Sequence, residues 1–263
     1  MSSGWSVLAV RYGTLQTTRA DAYYRYQAYG EPDGPQRLDY FFWIVRRPDE
    51  TILVDTGFGP EVGGRRGRTC LIEPAEAMEL LGVGPETVSR VVLTHLHYDH
   101  TGNLDRFPDA QLLVPARELD FWLGPLARRA QFAHAVEPTE LGQVLAAVDA
   151  GRVRRLEGGE EIADGVHAIL LGGHSPGQIA LGIDSRAGWV VLASDALHFY
   201  EELERDWPFG VVADLAEMYE GYDTLRELSG TPGAHLVPGH DAEVMTRYPR
   251  AAGAAVGFAV EIR

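Results

Sequence analysis

The sequence predicts a mixed α/β or α+β sandwich, two β-sheets with helices packed outside them. Short runs rich in β-branched and aromatic residues, each closed by Gly, Pro or Asp, gather towards both ends of the chain, as strands do. Between and after them, apolar residues recur at three- and four-residue spacing, the period of a helix with one buried face. Elements distributed in this way bury their apolar faces in layers.

The strand runs are "WSVLAVRYG", "DYFFWIVRR" and "TILVDTGFG", followed by "SRVVLTH" after a helical "PAEAMELLGVG" that glycine ends. From Pro115 to about Asp149 the signals are helical, in "ARELDFWL", "LARRAQFAHAV" and "TELGQVLAAVDA". Strands resume with "GVHAILLGG", "QIALGID" and "GWVVLAS". A long helix then aligns Leu215, Met218, Tyr219, Tyr222, Leu225 and Leu228 on one face, and Gly230 and Pro232 close it. "AHLVPGH" is a last short strand, and the ending "AAVGFAVEIR" packs as a strand or helix. No linker or short-period repeat divides the chain, so one domain over residues 1–263 is expected.

The bulk composition narrows the function. With 45% hydrophobic and 23% charged residues, the chain has ample material for a core. "MSSGWSVLAVRYG" lacks the basic and long apolar regions of a secretory signal, and no apolar run approaches the roughly 20 residues of a membrane span. A cytoplasmic protein without a membrane partner is expected. Cys70 is the single cysteine, which excludes an internal disulfide and a thiolate-rich metal site. A net charge of −15 argues against nucleic acid as partner, because phosphate backbones are bound by Lys and Arg. The local basic stretch "GGRRGRTC", with Arg65, Arg66 and Arg68, reads as a solvated glycine-rich loop or as a grip on an anionic substrate.

The chemistry concentrates in "VVLTHLHYDHTGN", residues 91–103. Were the chain extended from His95, alternate side chains would put His95, His97 and Asp99 on one face. His100 breaks that alternation and "TGN" supplies a turn, so two histidines aim at one spot and an Asp–His pair at its neighbour. Imidazole nitrogens and carboxylate oxygens are natural ligands for zinc-like ions. Three later segments also end a strand on a potential ligand: "LLGGHSPGQ" with His174, "VVLASDALHFY" with Asp195, and "HLVPGHD" with His240. In sheet-based folds, sites assemble at such loops.

Taken in order, "LVDTG", "THLHYDH", "GHSPG", "SD" and "PGH" resemble the metallo-β-lactamase superfamily, over a span from about Phe41 to His240. The resemblance implies a four-layered αββα sandwich with a dinuclear site at the edge between the two sheets. It implies two Zn²⁺ per chain, with Fe, Mn or Co as other divalent occupants. His95, His97 and His174 would hold one ion; Asp99, His100 and His240 would hold the second, with Asp195 bridging. Asp55 of "VDTG" matches an aspartate that orients ligands from behind; as a strand-to-turn residue it is equally ordinary.

Within the superfamily, zinc β-lactamases with a cysteine ligand downstream of the first motif do not fit, since Cys70 lies upstream. Glyoxalase II-like thioesterases carry a helical domain after the last metal histidine, and the 23 residues after His240 are too few for one. The remaining resemblance is to the N-acyl homoserine lactonase-like, quorum-quenching group. It implies a hydrolase that opens a small lactone by attack of a metal-bridging hydroxide; for such a reaction Asp99 is the candidate proton shuttle to the leaving alkoxide. Other ester, thioester or amide hydrolysis, or a di-iron redox role, are the alternatives. Typical lactonases place a tyrosine three residues after the bridging aspartate. Here that position is His198, so His198 or Tyr200 could bond the substrate carbonyl, with His198 equally readable as a core residue or a support behind the ligands.

For the substrate wall, the aromatic stretch "DAYYRYQAYG" with Tyr23, Tyr24, Tyr26 and Tyr29 suggests a lid or entrance. Phe58, Phe199, Trp207 and Phe209 follow motif residues and are candidates for an apolar lining, with core packing or a dimer interface as the competing use. The expected partner is a small-molecule substrate, with a homodimer possible. His134, His167 and His235, outside the motifs, read as ordinary surface or core histidines.

Overall fold

The computed structural model of the protein describes residues 4–253 and 257–263. Residues 1–3, and residues 254–256, which open the last predicted segment, lie outside that range. In chain order the strands are β1 (Ser6–Thr18), β2 (Pro35–Arg47), β3 (Glu50–Val54), β4 (Thr69–Cys70), β5 (Val88–Val92), β6 (Gln111–Pro115) and β7 (Val153–Leu156). They continue with β8 (Glu160–Ala163), β9 (Val166–Leu170), β10 (Ile179–Ser185), β11 (Gly188–Ser194), β12 (His235–Pro238) and β13 (Ala259–Glu261). An eight-stranded sheet runs β13-β1-β2-β3-β5-β6-β7, with β4 paired to β1, and a five-stranded sheet runs β12-β11-β10-β9-β8.

Side-chain alternation sorts the sheet residues into layers. In β1 and β2, Val7, Ala9, Phe41, Trp43 and Val45 meet Ile179, Leu181, Ile183, Val190 and Leu192 of the other sheet, filling the space between. The opposite faces, with Leu8, Val10, Phe42 and Ile44, are covered by helical residues such as Met78, Leu119 and Val144. On the far side, Ala180, Val191 and Ala193 pack under Met218, Tyr222 and Leu225 of the helix Leu215–Ser229. Burying each of those three large side chains contributes roughly 1.5–3 kcal/mol. The Asp214 carboxylate caps this helix by accepting from Ala216 N and Glu217 N at 2.9 and 3.0 Å. The result is the four-layered αββα sandwich. Strands buried on both faces lose the polar alternation, which is why "YFFWIV" reads as one apolar run.

Several elements differ from expectation. β6, β7 and β8 were not anticipated, and β1 and β2 extend through the polar stretches "TLQTT" and "PQR". Tyr219, assigned to the buried face of its helix, is 37% exposed. The C-terminal run forms β13, antiparallel to β1. Among the described residues no helix is long and apolar enough to cross a membrane.

Strand direction places the site. β3 and β5 are parallel, as are β11 and β12, and β9 shares their sense through antiparallel β10. The sheets meet at these strand ends: Thr94 Oγ1 lies 2.9 Å from Ser194 Oγ, and Ile179 N donates to Thr94 O at 3.1 Å.

Candidate metal centre

After β5 the chain bends through Thr94 and His95 and enters a helical turn, Tyr98–Thr101. Asp99 and His100 therefore leave from a helix start. The extended alternation expected to group His95, His97 and Asp99 is corrected: the bend and the turn do the sorting. The ligand atoms of His95, His97 and His174 lie within 4.8 Å of one another, and so do those of Asp99, His100, Asp195 and His240. Asp195 stands between the two sets. Its Oδ2 is 3.4 Å from His174 Nε2 and 3.1 Å from His240 Nε2, and its Oδ1 is 3.3 Å from His100 Nε2.

The donor set suits a pair of cations. His95 Nε2, His100 Nε2 and Asp195 Oδ1 are buried and have no hydrogen-bond partner among the described residues. Leaving each polar atom unmatched costs about 1–3 kcal/mol. Burial and neighbouring imidazoles hold His95 and His174 well below the usual histidine range, and burial takes His97 down to about 4. Neutral rings keep the lone pair a metal needs. Burial opposes ionisation of Asp195, but His240, His100 and His198 outweigh it and hold this carboxyl well below its usual range.

Three of the ring nitrogens are tied from behind. His174 Nδ1 donates to Val211 O and His240 Nδ1 to Asp39 O, both at 3.0 Å, and His100 Nδ1 to Asp55 Oδ2 at 2.8 Å. Carbonyl oxygens only accept, so the neutral rings of His174 and His240 carry their proton on Nδ1 and present the Nε2 lone pair. Asp55 adopts φ 60°, uncommon for a residue with a Cβ, and also accepts from Thr94 N and Thr94 Oγ1 at 2.8 Å each. It occupies the orienting position expected of it. Glycine is required in "PGH": a Cβ on Gly239 would lie 2.7 Å from Asp195 Oδ1.

One residue behind the centre carries no motif in the sequence. Glu118, fully buried, accepts from Leu96 N, Trp122 Nε1 and Gly177 N at 3.0, 2.6 and 2.8 Å, and from Ser175 Oγ. It joins the loop of His95 and His97 to the loop of His174. Its only sequence signal is a glutamate in a helix that otherwise buries apolar residues.

His97, Asp99, His174, Asp195 and His240 border a cavity of about 140 Å³, whose other lining residues include Leu38, Tyr40, Arg66, Arg68, Tyr98, His134, Phe209 and Val211. His198 lines it too. Its Nε2 is 3.2 Å from Asp195 Oδ2, and its ring stacks on Phe209 with centroids 3.6 Å apart. Tyr200, the other candidate for the substrate carbonyl, is corrected. Its hydroxyl donates to Leu236 O at 3.0 Å, and Arg247 covers its ring, away from the cavity.

The expected aromatic lining is also corrected. Phe58 and Phe199 are buried in the core, and Trp207 stacks on Tyr29 at 4.5 Å. Tyr24 does not border the cavity; its backbone N–H donates to Pro208 O at 2.7 Å, and Gly210 N donates to Ala22 O at 2.7 Å. The tyrosine-rich stretch therefore braces the segment that carries Phe209. His134, read as ordinary, sits at the cavity wall; His167 and His235 lie on β9 and β12. The basic stretch is solvated only in part: Gly64, Arg65, Gly67 and Thr69 are exposed, whereas Arg66 and Arg68 are partly buried cavity residues.

This fold is that of a known family. The metallo-β-lactamase superfamily matches residues 37–240, and the chain belongs to it, as a metal-dependent hydrolase of its lactonase-like branch. The N-acyl homoserine lactonase AiiB of Agrobacterium fabrum is 30% identical over 224 residues, 76% of this chain and 79% of that protein. The N-acyl homoserine lactonase AttM of Azorhizobium caulinodans is 25% identical over 228 residues, 81% of this chain and 85% of that protein. A crystal structure of a quorum-quenching N-acyl homoserine lactone lactonase shares the fold with TM-score 0.74. It is 20% identical, over 92% of this chain and 94% of that one.

Proposed function

We propose that the protein is a dizinc lactonase that opens a small lactone of the N-acyl homoserine lactone kind. The observation that carries this reading is the convergence of buried ligand atoms on two adjoining points, with His95 Nε2, His100 Nε2 and Asp195 Oδ1 left without a partner among the described residues. His95, His97 and His174 would hold one ion, Asp99, His100 and His240 the other, and Asp195 would touch both. Bound there, the ions supply a water of lowered pKa as nucleophile and a Lewis acid for the carbonyl oxygen.

The chain's own groups do the rest. Asp99, at the cavity wall, accepts the proton of the attacking water and passes it to the departing alkoxide. His198 directs Nε2 to the carbonyl oxygen and stabilises the charge that develops there. Phe209 keeps that ring in plane and closes the apolar side of the cavity, limiting the water that reaches the ester.

The test is a pH-indicator assay of the zinc-loaded protein against lactones, aryl esters and thioesters. Acid release confined to lactones is the expected result. Rapid thioester cleavage with every lactone inert would overturn the reading, and tightly held iron with visible absorbance would favour redox chemistry.

A further inference from the structure

We propose that the substrate carries a carboxylate apart from its scissile bond, which an N-acyl homoserine lactone lacks, and that Arg68 recognises it; the inference rests on the lactone-opening part of the reading above and replaces its neutral acyl substituent. The three clustered arginines differ in what they meet. Arg65 pairs with Glu61 and Glu137 at 2.7 and 2.9 Å. Arg66 pairs with Glu137 at 2.7 Å and spends its other nitrogens on His134 O and Val136 O. Arg68 has no ion pair among the described residues, although the chain holds 38 Asp and Glu.

Its surroundings mark a recognition site. Arg68 Nε donates to Tyr40 Oη and Tyr98 Oη at 3.1 and 2.9 Å, and Nη1 donates to Arg66 O. Nη2 has no hydrogen-bond partner among the described residues, and Arg68 lines the same cavity as the metal ligands. The Tyr40 ring meets the His240 ring edge-on at 4.9 Å, and Tyr98 directly precedes Asp99. A partly buried cation held in place by neutral groups, beside the reacting centre, lacks only its anion. A singly charged carboxylate suits it better than a phosphate dianion, because Glu137 already neutralises the neighbouring Arg66.

The test pairs γ-butyrolactone with the same ring bearing a carboxylate, using zinc-loaded protein. Wild type should show kcat/KM about 30-fold higher for the charged ring, equivalent at 1.4 kcal/mol per tenfold to about 2 kcal/mol. R68M should erase that preference, and R68K, which keeps the charge, should retain most of it and serves should R68M fold poorly. Calorimetry adds a measurement independent of turnover: glutarate should bind about tenfold tighter than butyrate, and R68M should remove the difference. If both lactones lose activity equally in R68M, or wild type prefers the neutral ring, Arg68 only braces the tyrosines and the inference is overturned. If neither ring is opened but the glutarate preference depends on Arg68, the lactonase reading fails and this inference stands.

Discussion

Asp55 Oδ2 accepts the Nδ1 proton of His100 at 2.8 Å, across 45 positions of sequence. The same carboxylate holds Thr94 by its N–H and its hydroxyl, so one side chain fixes both the bend before His95 and the ring of His100.

Asp55→Ala should therefore loosen metal binding without touching a ligand. Removing such a supporting group typically costs about 10–100-fold in affinity. Titration against a competing chelator should show that loss in the more weakly held ion, and wild-type affinity for both ions would refute the role.

Asp99→Asn should lower kcat by at least about 100-fold, the usual contribution of a positioned acid-base group, and change KM only a few-fold. Metal analysis of the variant must accompany the kinetics, since Asp99 also belongs to the ligand set. Unchanged turnover in a fully loaded variant would remove Asp99 from the proton path.

His198→Phe should keep the stacking on Phe209 and lose the donor, with kcat down about 100-fold, the scale set by oxyanion donors. His198→Tyr should recover a substantial part. Equal activity of the two variants would show that the position supplies shape and no hydrogen bond.

Glu140 gives a pH prediction. Burial pushes its carboxyl up to about 8, although Thr101 Oγ1 donates to it at 3.2 Å. The unfolded chain releases this proton near pH 4.5, so between about 4.5 and 8 the folded state binds more protons. Its contribution to stability must then fall as pH rises through that window. Denaturant unfolding should show this decline, and Glu140→Gln should remove that component and be the more stable protein at pH 8. A variant with the wild-type slope would exclude Glu140 as its source.

The candidate metal ligands were legible because each sits in a short motif whose residue types have few other uses. Asp55 was legible only through the family resemblance, since an aspartate at a strand-to-turn corner is ordinary. The cavity wall was not. Phe209 lines it while Phe58, Phe199 and Trp207 do not, and all four lie close to motif residues in sequence. Which way an aromatic points depends on the strand or turn that carries it, and residues 207–211 take their position from distant Tyr23 and Tyr24. Glu118 was hidden for a related reason, since its partners come from two loops that only the fold brings together. β7 escaped because "VRRL" places two arginines mid-strand at the sheet's edge, where the polar residues meet solvent or acids such as Asp120.

Val211 offers its carbonyl to His174 two residues after Phe209 forms the cavity wall. Backbone drift in that stretch would disturb ligand and wall together, so evolution could widen the entrance cheaply only by trimming side chains. Divergence in substrate range among sequences built like this one should accordingly appear as swaps at position 209, while insertions or deletions between 207 and 213 stay rare.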